Sequence, residues 1–428
     1  MTDDTPQLAR DRLELPDVRV PAGWTLGGLA LGLVLGLAVG QSQPGAVALA
    51  QWIGGLWLRG LQMTIIPLVV ALLVMGITRT IAAAQAGRMA ALTLGMFAAV
   101  LTTGTLMSAL VMPRLLDAFP IPAAAAGALR AGLGASATAK VPGLLEFITA
   151  LIPTNVLAAA SSDAILPTIV FFALFAVAIT RLPARPRDML SLLFESVAGT
   201  MMVMIGWMLK LAPIGVFALA FAVAAASGSA AIGALAHYIA LVASIGGVVL
   251  IGAYLVAVFG ARQKLAVFAR AVMPAQAVAI STQSSLASVP AMLGSCARLG
   301  LAERSGEFVL PLAVALFRAT GPAMNLAVAI YVARLSGIEL TPVILASGVI
   351  VALLTTLGAP SLPGSISFVS SIGPIALAMG VPVGPLALLV AVEVLPDIMR
   401  TVGNVTMDVA LAATVDRRTR APGLVAPS

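Results

Sequence analysis

One cysteine and one histidine occur among the 428 residues. A lone Cys296 excludes an internal disulfide and any cysteine-rich metal site, and a lone His237 excludes a histidine-based metal centre. Charge is also scarce. Asp, Glu, Lys and Arg make up 10% of the chain, against about 25% in a soluble protein. No Ser–His–Asp set, phosphate-binding loop or metal-ligand spacing appears, which argues against an enzyme. The basic residues behind the net charge of +7 lie in short loops, not in a patch with interleaved aromatics. They report membrane topology, not affinity for nucleic acid.

What fills the chain instead is apolar: 60% hydrophobic residues and a mean hydropathy of +1.08. Gly (40) and Pro (27) are abundant, as suits membrane helices that pack closely or break. The composition predicts an all-α polytopic membrane protein.

Residues 1–21 are polar, and the acidic Asp3, Asp4, Asp11, Glu14 and Asp17 fit a signal peptide poorly. The apolar run 24–40 is therefore expected to be an uncleaved first span. A long apolar segment follows through Ile77, then a third span to about Met112 and an Ala/Gly-rich outer insertion over 113–145. A fourth span ends before Arg181, a fifth covers 192–225 and a sixth 235–259. Basic residues mark alternate connections: the N-terminus, 79–88, 181–187, 262–270 and the C-terminal Arg417, Arg418 and Arg420. By the positive-inside rule both termini face the cytoplasm. Glu195 and Lys210 are expected near membrane edges, and His237 at the start of the sixth span.

The stretch 393–408 stands apart. Glu393, Asp397, Arg400, Asn404 and Asp408 recur at intervals of four, three, four and four residues, with Thr401 beside them. At 3.6 residues per turn they share one helix face. Each ionisable group at membrane depth costs ~2.5 kcal/mol or more, so such a face turns to a protected interior and marks a pathway. Two apolar segments nearby, 271–297 and 341–380, are interrupted by STQSSLASVP (281–290) and GAPSLPGS (358–365). Pro360 and Pro363 stop a helix from running through the second. Broken segments of this kind point to a substrate site at the midplane, where half-helix N-termini face anions.

LIPTN (151–155), ILPTIVFFALF (165–175), LAPIGVFAL (211–219), LPL (310–312) and DIMRTVGNVTMD (397–408) resemble signatures of the dicarboxylate/amino acid:cation symporters, the glutamate-transporter family. The resemblance covers about residues 22–415. It implies eight membrane helices, two re-entrant hairpins and a homotrimer in the bacterial inner membrane, surrounded by lipid. It divides the chain into a cytoplasmic segment (1–21), helices one to six (22–259), a transport core (265–415) and a cytoplasmic tail (416–428). An elevator-type carrier for acidic amino acids is implied, with sodium or a proton as the coupling ion and no cofactor. A C4-dicarboxylate carrier, or a channel or sensor on the same scaffold, are the other readings.

By the same resemblance, Arg400 would hold the substrate side-chain carboxylate, Asp397 the α-amino group, and Thr401 and Asn404 the main-chain end. Ser284 and Ser285 would form the first hairpin tip, and Ala359, Ser361, Pro363 and Gly364 the second. Asp408 would contribute to a sodium site. An aspartate at 397 favours an amino acid over a simple dicarboxylate, and an arginine at 400 favours an acidic one. The chain departs from the family at the seventh-helix motif NMDGT, where Phe317, Arg318, Ala319, Thr320 and Gly321 stand without gaps; a one-residue slip matches Gly321 to the motif glycine and still gives no Asn–Asp pair. The Asn–Asp pair that helps build cation sites is missing. Arg318 is expected to lie near Asp408 as a tethered cation replacing one sodium, which predicts reduced or altered sodium coupling.

Overall fold

The computed structural model describes residues 22–84, 87–122, 149, 151–162, 164–228, 230–358 and 371–419, and among these there are helices and turns but no strand. The first half runs α1 (Ala22–Val39), α2 (Pro44–Gln62), α3 (Ile65–Ala84), α4 (Arg88–Ala118), α5 (Val156–Ser161), α6 (Ile165–Ile179), α7 (Ala184–Lys210), α8 (Ala212–Ser227) and α9 (Ala230–Leu255). The second half runs α10 (Leu265–Thr282), α11 (Val289–Arg298), α12 (Glu303–Leu316), α13 (Gly321–Leu335), α14 (Pro342–Gly358), α15 (Gly373–Ala378), α16 (Gly384–Val390) and α17 (Val394–Thr419). Among the described residues, six stretches are long and apolar enough to cross a membrane: Pro44–Ala84, Arg88–Ala118, Ala184–Lys210, Ile232–Gly260, Leu265–Thr282 and Glu303–Leu335. The protein is an all-α, multi-pass membrane protein.

Local chemistry accounts for several boundaries. The third span continues through Pro113 to Ala118, past the expected end near Met112. The fifth begins at Ala184, so Arg185 and Arg187 belong to a helix, and it breaks at Leu211 ahead of Pro213. Asn155, the last residue of LIPTN, is the N-cap of α5 and accepts from the amides of Leu157 (3.0 Å) and Ala158 (3.1 Å). Such a cap satisfies amides that have no partner inside the helix.

α1 packs along α8 through Gly28, Gly32, Gly36 and Gly40, one residue per turn on one face. A side chain on the first three would meet the carbonyl oxygens of Pro213, Phe217 and Phe221, at 2.5 Å for Gly32. Helices in lipid gain little from burying apolar area against each other, so close backbone approach supplies the attraction.

α17 is the centre of the second half. From Thr401 to Asp416 every residue is buried, and α9, α10 and α12 pack around it. It carries on to Thr419, beyond the expected edge of the core near residue 415. Asp416 is buried beneath the start of α12, where it accepts from the Ala302 amide (3.1 Å) and the Ser305 hydroxyl (2.9 Å).

Candidate functional site

The first interruption read from the sequence falls where a helix stops. α10 ends at Thr282, Gln283 takes a left-handed conformation (φ 51), and Ser284 and Ser285 lie half-buried in the turn before α11. The Ser284 bonds stay within that turn: its hydroxyl accepts from the Ala287 amide (3.2 Å) and its carbonyl from the Ser288 hydroxyl (2.9 Å). α14 ends at Gly358. Ala359, Ser361, Pro363 and Gly364 lie outside the described residues.

A third interruption lies in the departing motif itself. Helix stops at Leu316, Phe317 is extended (φ −121, ψ 118), and helix resumes at Gly321. Phe317 is fully buried and stacks on Phe97 of α4, with ring centroids 4.3 Å apart and planes inclined by 11°. Phe317 is a core aromatic whose side chain cannot ligate an ion. Thr320, last in the break, turns to α17: its amide and hydroxyl both donate to Asn404 Oδ1 at 2.9 Å, and the hydroxyl lies 3.0 Å from the Arg400 carbonyl.

On α17 the predicted polar face is buried. Asp397 and Arg400 are each 3% exposed and Asp408 is 0% exposed. Arg400 and Asp397 lie together, Nε to Oδ1 3.2 Å. The Thr401 hydroxyl bonds back to the Asp397 carbonyl (2.9 Å). Glu393 precedes the first residue of the helix, yet its carboxylate reaches Arg400. One Arg400 terminal nitrogen is paired with Glu393 Oε1, and the other donates to Asn325 Oδ1 of α13 (2.6 Å). Tyr238 of α9 donates its hydroxyl to Glu393 Oε2 (3.1 Å). Glu393, Asn325, Thr320 and Tyr238 received no site role from the sequence. Glu393 had a usable signal, seven residues ahead of Arg400, and Asn325 is a lone amide in an apolar helix. Tyr238 had none.

The chain matches the model of the Sodium:dicarboxylate symporter family over residues 24–418. It belongs to that family. It is 27% identical to the Proton/sodium-glutamate symport protein of Bacillus subtilis over 397 residues, 90% of each chain. It is also 27% identical to the Proton/glutamate-aspartate symporter of Escherichia coli, over 85% of this chain and 83% of the relative. The C4-dicarboxylate transport protein of Laribacter hongkongensis is 26% identical over 82% of this chain and 79% of its own. As a member of the symporter family, this chain is a secondary transporter and not an enzyme.

Arg318 and Asp408 are not hydrogen-bonded to each other. Both Asp408 carboxylate oxygens are buried without a hydrogen-bond partner. Arg318, partly buried in the break before α13, instead has Asp397 and Arg400 as its charged neighbours. Asp397 and Arg400 lie in the first turns of α17, and Asp408 lies two turns beyond Arg400.

Proposed function

We infer that the chain is a cation-coupled carrier of acidic amino acids such as aspartate or glutamate. One observation carries this reading: a buried guanidinium, Arg400, beside a buried carboxylate, Asp397, where α12 and α13 break. A guanidinium offers a bidentate fork to a carboxylate, and a carboxylate is the complementary partner of an ammonium. Arg400 then takes the side-chain carboxylate, Asp397 the α-amino group, and Thr401 and Asn404 the main-chain end. The hairpin tips, Ser284 and Ser285 on one side and Ala359, Ser361, Pro363 and Gly364 on the other, close over the substrate in an elevator-type cycle. The carrier works as a homotrimer in the bacterial inner membrane with both termini cytoplasmic.

Coupling follows from charge. Asp408 is a carboxylate without donors, and burying such a charge is costly until a proton or a monovalent cation neutralises it. Phe317 and Ala319 supply no ligand for a further ion, so sodium coupling is reduced relative to a carrier with the Asn–Asp pair. The second reading is a C4-dicarboxylate carrier. Arg318 favours it, because a second cation near Arg400 suits a dianion without an ammonium group. Uptake of radiolabelled aspartate, glutamate and succinate into proteoliposomes, with sodium and proton gradients imposed separately, tests both readings. Saturable uptake with counterflow is expected; flux without counterflow would indicate a channel and overturn the carrier reading.

A further inference from the structure

The Arg400 fork is not idle. Each of its terminal nitrogens already donates to a protein group, one to Glu393 and one to Asn325. Glu393 is 1% exposed and is held from the other side by Tyr238. A substrate carboxylate arriving on this guanidinium meets an internal carboxylate on the same group, with Asp397 3.2 Å from Nε as a further anion. Several anions on one buried guanidinium repel at short range, where little solvent screens them. Uncharged Asn325 and the cation Arg318 cannot relieve that repulsion by giving up charge. A proton on Glu393 can.

We propose that Glu393 is the proton-linked competitor for Arg400, and so a residue that determines when substrate binds. The proposal rests on the acidic-substrate reading above. Ionised, Glu393 occupies an N–H of Arg400. When substrate binds, a proton from the aqueous phase adds to Glu393, and the freed N–H donates to the substrate carboxylate. On release the proton leaves Glu393 and the internal pair re-forms. No other bond changes. Groups facing Glu393 are Tyr238 from α9 and Asp397 and Arg400 from α17. Arg318, ahead of α13, acts on the latter two. Tyr331 of α13 meets the Tyr238 ring edge-on at 5.3 Å, and His237 bonds to the Tyr331 hydroxyl at 3.2 Å. Glu393 is singled out because it alone among the nearby carboxylates donates no role to ammonium binding and shares a guanidinium nitrogen with the incoming anion.

The test uses the full chain in lipid nanodiscs, with radiolabelled aspartate, glutamate and succinate, from about pH 5 to about pH 8. Affinity of the unmodified protein should rise by up to about tenfold per pH unit of acidification, with about one proton taken up per substrate bound, read with a pH-indicator dye. Glu393→Gln should bind with an affinity nearly flat in pH, and Glu393→Asp should restore the slope. Tyr238→Phe removes the hydroxyl that holds ionised Glu393, and should move the profile toward alkaline pH with its slope intact. Normal binding with an unchanged slope in Glu393→Gln overturns the proposal and leaves the substrate reading standing. If Glu393→Gln does not fold, absence of proton uptake by the unmodified protein, or an unmoved profile in Tyr238→Phe, overturns it equally. Failure of all three anions to bind the unmodified protein overturns the substrate reading, and this proposal with it.

Discussion

At the scale of single residues, Arg400 meets two demands. It is the cation that offsets Glu393 and Asp397, and under the proposed function it is also the fork offered to substrate. Arg400→Cys should therefore act twice. Acidic-substrate affinity should fall by about 100-fold or more, as truncating one partner of a buried charged pair costs ~2–5 kcal/mol. Stability should fall by ~3–5 kcal/mol, because two carboxylates lose their counter-charge. Adding Glu393→Gln should recover part of the thermal stability but not the affinity; recovery of neither would mean that Glu393 is not a counter-ion. Asp397→Asn should weaken aspartate far more than succinate, measured side by side in binding assays, and equal losses would remove the ammonium role. Arg400 and Asp397 were legible in the sequence because helical periodicity places them on one face whatever the rest of the fold does. Tyr238 was not, since it lies 155 residues from Glu393 and only packing brings the two together.

At the scale of elements, two features depend on residues far from the charge cluster. α1 touches the backbone of α8 through its glycines, so Gly32→Val forces a branched side chain against the Phe217 carbonyl. Overpacking of this kind costs ~1–3 kcal/mol, and a lower melting temperature of the purified protein in detergent is the readout. An unchanged melting temperature would mean that α1 stands off from α8. Asp416 supplies the start of α12 from a different helix, and Asp416→Ala should cost ~1–3 kcal/mol by the same measurement, since hydrogen bonds to a charged group are lost. The structure places Gly28, Gly32 and Gly36 against α8, and the abundance of glycine was readable in the sequence as a sign of close helix packing. Asp416 was not, because a tail carboxylate and a buried cap look alike until α12 is seen above it.

At the scale of the whole molecule, the proposed ion coupling involves three elements: the break between α12 and α13, the α4 face carrying Phe97, and the middle of α17. Phe317 faces Phe97 and Ala319 has no side-chain oxygen, so substrate affinity should depend only weakly on sodium. The measurement is substrate binding over a sodium titration at fixed pH. A steep, multi-ion dependence in the unmodified protein would sink this reading. Combining Phe317→Asn, Arg318→Met and Ala319→Asp should increase the sodium dependence. Arg318→Met alone should leave Asp408 undisturbed and weaken dianions such as succinate more than aspartate, because its charge is felt at Asp397 and Arg400.

The sequence alone determined that the chain lies in a membrane, that its helices break at 281–290 and that 393–408 is the polar heart. Hydropathy, proline placement and helical periodicity are local properties, and they survive whatever the tertiary arrangement turns out to be. It also determined that the Asn–Asp pair is absent, since a missing side chain is missing in any fold. Which charges meet was decided only by tertiary structure. Arg318 lies far from both Asp397 and Asp408 along the chain, and in the fold its charged neighbours are Asp397 and Arg400. Glu393 meets both Arg400 and Tyr238, a residue of a different helix. Coulomb energy in a low-dielectric interior depends on separations of a few ångströms, and those separations exist only once α9, α13 and α17 are packed.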